Sequence, residues 1–161
     1  MVLALSDQFK AFFTSSTFLA GVSSWFLAQF IKLFISLVKS KVTSIGEFFD
    51  ILFWRTGGIV SSHSAIVTSL CTTVAIKNGL NSDVFFVSLV FLLVVIRDSF
   101  GVRRASGLQA KKINEIGNHL KEKGVLDDYV SIKEVNGHTP LQVVLGCLLG
   151  FIVGIAFIYL M

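Results

Sequence analysis

Long apolar runs separated by polar connections constrain this chain more than any other feature. They lie near residues 15–38, 61–77, 84–100 and 139–161, and about 20 apolar residues suffice for a helix to cross a bilayer. The composition agrees, because 53% of the residues are hydrophobic and only 15% are charged, whereas about a quarter is usual. Such a chain cannot hide its apolar surface in a small water-soluble core. We predict an all-α fold, a polytopic membrane helical bundle of about four spans, in one integral membrane domain over residues 1–161.

The polar region between the third and fourth spans contains a further periodic pattern. Its apolar residues recur at mostly three- and four-residue spacing, which is typical of an amphipathic helix lying on a membrane; they are Val102, Ala105, Leu108, Ile113, Ile116 and Leu120. We therefore predict an interfacial helix near 102–123, with Gly117 and Gly124 as candidate breaks. The net charge of +4 comes from basic residues between apolar runs, which favours anionic membrane lipids as partners over nucleic acid.

The distribution of charge also predicts a topology. Lysine and arginine cluster in the connections 39–57 and 97–139, and the positive-inside rule places both connections in the cytoplasm and both termini outside. We expect a multi-pass protein of the plasma membrane, or of the inner membrane in a bacterium, with no signal peptide removed, since residues 1–13 lack that pattern. On either orientation, His63, the segment 98–104 and His138 emerge on one side of the membrane.

A polar stretch directly before the second span holds the first candidate site residues. Residues 55–65 contain two glycines, three serines and His63. Ser61 or Ser62 can cap the following helix, whose first amides attract anions, and His63 would then be a titratable imidazole at the edge of an anion site. The alternative is a loop and an N-cap with His63 as an ordinary interfacial residue.

Two arginines and a second histidine extend this set. Arg103 and Arg104 carry guanidinium groups that match phosphate oxygens, and His138 lies directly before the fourth span. Together with His63 they suit phosphoryl transfer, in which one imidazole attacks phosphorus, the other protonates the leaving oxygen and the cations hold the remaining oxygens. We expect neither a metal nor a cofactor, because cations and amides already stabilise the phosphoryl group. Alternatively, the arginines only bind lipid headgroups.

Several other polar residues have simple structural alternatives. Asp98 can be an ion-pair partner for an arginine, and Gln142 can complete a capping box with Thr139. His138 can merely precede that cap. Lys32 lies within the first span, on one helical face with Gln29, and its ammonium can either face the protein interior or extend to the interface.

Three segments of the chain resemble the signatures of a known family. Gly57-Gly58-x-x-Ser61-Ser62-His63-Ser64-Ala65 resembles the glycine-glycine-methionine-proline-serine-serine-histidine-serine signature of the divergent branch of the type 2 phosphatidic acid phosphatase superfamily. This branch is related to acid phosphatases and vanadium-dependent haloperoxidases. The segment 98–110, with Gln109 in it and Asn114 following in register, resembles the second signature, and 137–143 resembles the third. The segment 25–32 is similar to the first span of that branch.

The resemblance implies roles for the candidate residues. His63 would be the general acid, His138 the phosphate nucleophile, and Ser61 and Ser62 phosphate ligands. Arg103 and Arg104 would also bind phosphate, and the supporting residues would be Asp98, Gln109, Gln142, Lys32 and Lys133. The implied function is a phosphatase that hydrolyses a lipid or polyprenyl phosphate through a phosphohistidine. The alternatives are a non-catalytic protein that binds an anionic lipid or phosphate, and a small transporter or assembly factor; a homo-oligomer stays open.

The chain also departs from the superfamily pattern. Ile59-Val60 replaces methionine-proline, and the first superfamily motif, a lysine and an arginine seven apart, has no match. An arginine six residues before the nucleophile would fall on Ile132, beside Lys133. Gln142 stands where the superfamily has aspartate, so we expect a weaker nucleophile, because an amide cannot neutralise an imidazolium. Lys32, Arg103 and Arg104 would have to supply the missing charge.

Overall fold

The computed structural model describes residues 4–38, 44–49, 59–134 and 137–161. All regular elements in these residues are helical, which confirms the all-α prediction. They are α1 (Leu5–Phe13), α2 (Ser16–Val38), α3 (Ile45–Phe49), α4 (Ser62–Asn78), α5 (Asp83–Arg97), a π-helix (Asp98–Val102), α6 (Arg103–Glu122) and α7 (Pro140–Leu160).

Three helical segments in the described part of the chain are long and apolar enough to cross a membrane. They are Ser16–Val38, Asp83–Glu122 and Pro140–Leu160. The remaining predicted span, the second at 61–77, corresponds to α4, which has 17 residues and is rich in serine and threonine. The fold is therefore a helical membrane bundle, and the number of passes stays a prediction.

The predicted interfacial helix is not a separate element. It continues the third span, because α5, the π-helix and α6 form one helical run of 40 residues, and the backbone stays right-handed and helical at both junctions. Gly117 lies inside α6 and does not break it. Gly124 has a φ of 68°, which glycine adopts without steric cost, and the helix ends just before it.

The α4 helix lies at the centre of the bundle and packs against α2, α5 and α7. Its hydroxyl side chains are mostly bonded to the helix itself: Ser69 donates to the Ile66 carbonyl at 2.9 Å and Thr73 to the Leu70 carbonyl at 2.9 Å. Such bonds satisfy polar groups where lipid offers none. The buried hydroxyls of Ser24 and Ser69 also lie 3.1 Å apart, which joins α2 to α4.

Three glycines at four-residue spacing let α7 approach α4 closely. A Cβ atom at Gly150 would lie 2.1 Å from the Ala65 carbonyl oxygen, and one at Gly146 would lie 2.4 Å from that of Ser61. Only a residue without a side chain permits this separation of two backbones. The same approach allows the Ser61 amide to donate to the Gln142 carbonyl at 3.0 Å, which locks the beginnings of α4 and α7 together.

Candidate functional site

The site forms at the end of the bundle where α2 ends, α4 and α7 begin, and α5 passes into the π-helix. Ser61 is the N-cap of α4: its hydroxyl accepts from the Ser64 amide at 3.3 Å and from the Ser64 hydroxyl at 2.9 Å. Both serines are fully buried. Ser61 therefore begins the helix, and a first-turn amide such as that of His63 has no acceptor within the helix. These amides are the groups that the helix can offer to an anion.

Lys32 reaches this helix start from α2. Its side chain is 5% exposed, and its ammonium nitrogen Nζ donates to the Ser62 hydroxyl at 3.2 Å. The alternative in which Lys32 extends to the interface is therefore wrong, and its charge faces the interior of the bundle. One turn earlier, Gln29 is also buried, and its carboxamide oxygen has no hydrogen-bond partner among the described residues.

His138 lies between the π-helix and the start of α7. Its residue is 8% exposed, and its backbone amide donates to the Ser99 carbonyl at 3.1 Å. Burial, followed in size by the charges of Lys32, His63 and Arg103, lowers the pKa of His138 to about 4. The imidazole is therefore neutral at neutral pH, with a lone pair available for attack on an electrophile.

A glycine that the sequence analysis gave no role positions this histidine. A Cβ atom at Gly137 would lie 2.3 Å from both the amide nitrogen and the Cα atom of Arg104. The chain entering α7 therefore passes directly over the backbone at the start of α6. Together with the hydrogen bond from His138 to Ser99, this contact holds His138 against the π-helix. The sequence carried one indication of this role, since Gly137 lies directly before His138 in the third signature segment.

The two arginines differ in their surroundings. The Arg103 guanidinium pairs with the Asp98 carboxylate, which is the simple alternative for Asp98. Both side chains are partly exposed, at 47% and 38%, so the pair adds little stability. It does fix the guanidinium beside the site, where its charge acts on His138. Arg104 is exposed, and the atoms of it that lie closest to Gly137 are its amide nitrogen, Cα and Cβ.

Gln142 completes a capping box with Thr139, which is the structural alternative that the sequence analysis gave for it. Its side-chain oxygen Oε1 accepts from the Thr139 amide at 2.8 Å, and Thr139 caps the same turn in return. The carboxamide oxygen is therefore bonded to the cap rather than to the imidazole. The imidazole nitrogen Nδ1 of His138 is buried and has no partner among the described residues.

The remaining supporting residues lie on the surface. Gln109 and Lys133 are both exposed, and no hydrogen bond or ion pair between described residues joins either of them to a site histidine. Lys133 belongs to a segment that Asn114 fastens to α6, since the Asn114 side chain bonds to both the amide and the carbonyl of Ile132 at 2.8 and 2.9 Å. Asn114 therefore has a structural role, whereas the sequence analysis noted only that it follows the second signature in register.

Part of the predicted site lies outside the described residues. Arg55 of the polar stretch 55–65, and Gly57 and Gly58 of the first signature, lie there. Among the described residues, no three histidine, cysteine, aspartate or glutamate side chains lie together in a way that suits a metal ion. The groups that phosphoryl transfer would use at this end of the bundle are the imidazoles of His63 and His138, the cations Lys32 and Arg103, and the first amides of α4.

Comparison with known proteins places this arrangement in a family. A model of the Divergent PAP2 family matches residues 13–153. The chain belongs to that family. It is also similar to the uncharacterized membrane protein YuiD of Bacillus subtilis (strain 168), with 32% identity over 156 residues that cover 91% of this chain and 96% of that protein. No solved structure matches the chain.

Membership of the Divergent PAP2 family agrees with the resemblance in the three signature segments. All of the site residues lie within the matched part of the chain. The protein is therefore a PAP2-related membrane protein, and the question that its site raises is whether the histidines turn over a phosphate ester.

Proposed function

We propose that the protein is a phosphatase that hydrolyses a lipid phosphate monoester through a phosphohistidine at His138. One observation carries the proposal: a buried imidazole with a lowered pKa lies where the charges of Lys32 and Arg103 both act on it. Neutral imidazole is the nucleophilic form, and nearby cations stabilise the charge on a transferring phosphoryl group.

The reaction needs two displacements at phosphorus. In the first, the nitrogen Nε2 of His138 forms a bond to phosphorus while the bond from phosphorus to the lipid oxygen breaks, and His63 gives its proton to that oxygen. The products are a lipid alcohol and a phosphohistidine. In the second, His63 accepts a proton from water, the water oxygen attacks phosphorus, and the bond to Nε2 breaks. Inorganic phosphate leaves and both imidazoles are restored.

A lipid substrate follows from where the cations lie. Lys32 belongs to a membrane-spanning helix and meets the site at the end of that helix, so a phosphate headgroup would reach it without leaving the bilayer. Lys32, Arg103 and the first amides of α4 would hold the non-bridging oxygens. The positive-inside rule favours the cytoplasmic face for this site.

A second candidate is a protein that binds an anionic headgroup without turnover. Two observations favour it: Gln142 is engaged in the helix cap, and the His138 nitrogen Nδ1 has no partner among the described residues. A nucleophilic histidine normally has a carboxylate on its second nitrogen, which orients the ring and stabilises the cation that forms. Without one, phosphate could bind here and react slowly.

The deciding experiment measures phosphate release by purified protein in detergent micelles. Substrates would be lysophosphatidate, phosphatidate and a polyprenyl phosphate, and the variants His63→Ala and His138→Ala. We expect either change to lower release by about 100-fold or more, as for loss of a general acid or nucleophile. The matched control is His119→Ala, because His119 is exposed on α6.

Two results would contradict the proposal. Equal losses in His119→Ala and His138→Ala would show that the effect is not specific to the site. Release from none of the lipids, with vanadate still bound in a way that depends on His138, would favour the headgroup-binding protein instead.

Trapping labelled phosphate on the wild-type protein and losing the label in His138→Ala would identify the intermediate directly.

A further inference from the structure

The α6 helix carries the third span well past the end of the bundle. The helical run Asp83–Glu122 has 40 residues, and at 1.5 Å per residue it is about 60 Å long, about twice the thickness of a hydrocarbon core. A span of about 20 residues that starts at Asp83 ends near Arg103, where α6 begins. Within the described residues, the helix that α6 mainly contacts is the π-helix before it. Most of α6 would therefore lie outside the hydrocarbon core.

The direction of α6 keeps its far half away from the lipid. Membrane-spanning helices are tilted by up to about 40° from the membrane normal, and the backbone stays helical on both sides of the π-helix. Even at that tilt, the chain from Arg103 to Ile116 would carry Ile116 about 15 Å beyond the end of the span. The headgroup layer is only about 6 Å thick, so lipid would not cover this part of α6.

An apolar stripe on this part of α6 is left uncovered. Ile113 and Ile116 are 47% and 60% exposed. Leu120, which is half-buried, continues the stripe, because spacings of three and four residues place side chains on one helical face. The neighbouring face is closed, since the ring of Tyr129 lies against Gly117. Uncovered apolar surface that lies in water is typical of a site where proteins associate.

The fixed orientation of a membrane protein makes another copy of this chain the partner that fits the stripe. Copies in one membrane share one topology, so their α6 helices are parallel and extend to the same height. Apolar side chains with alternating spacings of three and four residues pack in layers between parallel helices, and Ile113, Ile116 and Leu120 have these spacings. Gln109 falls in the preceding layer, where two carboxamides can bond to each other because each donates and accepts.

We propose that α6 is a self-association surface, on which Ile113, Ile116 and Leu120 of one copy pack in register against the same residues of another copy. The charges of the helix permit this contact. Arg104 and Lys111 precede Ile113 by nine and two residues, so they point about half a turn away from it. Lys112, which is nearer to the stripe, pairs with Glu115 of its own copy at 2.6 Å.

A cysteine in the stripe tests the register of the contact. Ile116→Cys would bring two thiols together in a background of Cys71→Ala and Cys147→Ala, and a disulfide needs two Cβ atoms within about 4.5 Å. The matched control is Asn118→Cys, which is exposed on the same helix but about 200° away round its axis. On oxidation in membranes, we expect at least about 5-fold more cross-linked product from Ile116→Cys than from Asn118→Cys.

A charge in the stripe tests whether the contact holds the copies together. Copies labelled with donor and acceptor dyes at Asn118→Cys, in the same background, report association in liposomes by energy transfer. Ile116→Glu would set like charges opposite each other, so we expect transfer to fall to the level of random mixing. Thermal stability should be retained, because Ile116 is exposed in the single copy. Lys111→Glu is the matched control on the outward face and should leave transfer unchanged.

Each outcome decides the matter. Equal cross-linking at residues 116 and 118 would overturn the proposal, and so would energy transfer at the level of random mixing before any glutamate is introduced. A thiol at residue 116 that neither cross-links nor reacts with a water-soluble maleimide would also overturn it, in favour of a membrane surface or a different protein as the cover. His138→Ala should associate as the wild type does, so self-association and phosphate release fail separately.

Discussion

Replacing Gly150 with alanine should separate the two helices that carry the site. The new Cβ atom would lie 2.1 Å from the Ala65 carbonyl oxygen and within about 3 Å of two further Ala65 backbone atoms, whereas ordinary contact begins at 3.4 Å. Because the obstructing atoms are backbone, no side chain can rotate to make room. The helices α4 and α7 must therefore move apart by about an ångström, against close packing.

The magnitude follows from two opposing terms. Overpacking of this kind costs about 1–3 kcal/mol, and alanine recovers up to about 1 kcal/mol over glycine inside a helix. We expect Gly150→Ala to lose about 1–2 kcal/mol. At Gly154 the nearest atoms would be at 3.0 and 3.1 Å and the closest is a side chain, so Gly154→Ala should be nearly neutral. Gly21→Ala meets open space and should be neutral or stabilising.

The chain carries its own reporters for this measurement. Cys71 is buried and Cys147 half-buried, so a thiol-reactive dye that fluoresces on coupling follows thermal unfolding in detergent. A loss of about 1–2 kcal/mol corresponds to a fall in Tm of about 2–8 °C for a chain of this size. The same variant should weaken vanadate binding, because moving α7 shifts His138 relative to Lys32. A Gly150→Ala protein as stable as Gly154→Ala would refute the packing argument.

Two further perturbations test the surroundings of the site. The pKa of His138 is about 4 in the folded protein, against 6.5 for an ordinary histidine, so the unfolded chain binds more protons between these values. Stability should fall by up to about 3 kcal/mol as the pH drops from 6.5 to 4 and change little from this cause outside that window. Melting of His138→Gln should lack this component, and an identical pH profile for the variant would contradict it. Asn114→Ala should release residues 126–134 from α6, at a local cost of about 1–3 kcal/mol, and so speed the cleavage of this segment by added protease. The control Asn118→Ala, at an exposed position of the same helix, should not speed it. Equal cleavage of the two variants would contradict the role of Asn114 in fastening the segment.

The sequence predicted features that depend on local periodicity and composition. The bounds of α2 and α7 follow from the lengths of their apolar runs, and the start of α7 follows from Thr139 as cap with Pro140 and Gln142 behind it. The same reasoning could not show that the amphipathic segment 102–123 follows the third span without a break, because periodicity does not tell whether the backbone turns between two helices. Only the backbone shows that no break lies there.

Contacts between distant residues could not be predicted in the same way. The sequence placed His138 on the same side as Asp98, but the bond from its amide to Ser99 depends on how closely the chain at Gly137 passes Arg104. That distance is a property of the packed helices. The apolar space that Phe18, Trp25, Ile66 and Leu70 line between α2 and α4 is likewise invisible in the sequence. An apolar residue that lines a space and one that fills a core have the same periodicity.

Lys32 links the fold to the function that we propose. An ammonium within a span is expensive, yet among the described residues Nζ donates to one neutral hydroxyl, that of Ser62. Two anionic oxygens of a phosphate would offset this cost far better than a serine does. A phosphate or vanadate that binds beside Lys32 should therefore stabilise the protein and raise its Tm. In Lys32→Met the side chain keeps most of its length without its charge, so vanadate should no longer stabilise the protein; if it stabilises both proteins equally, Lys32 is not part of the phosphate site.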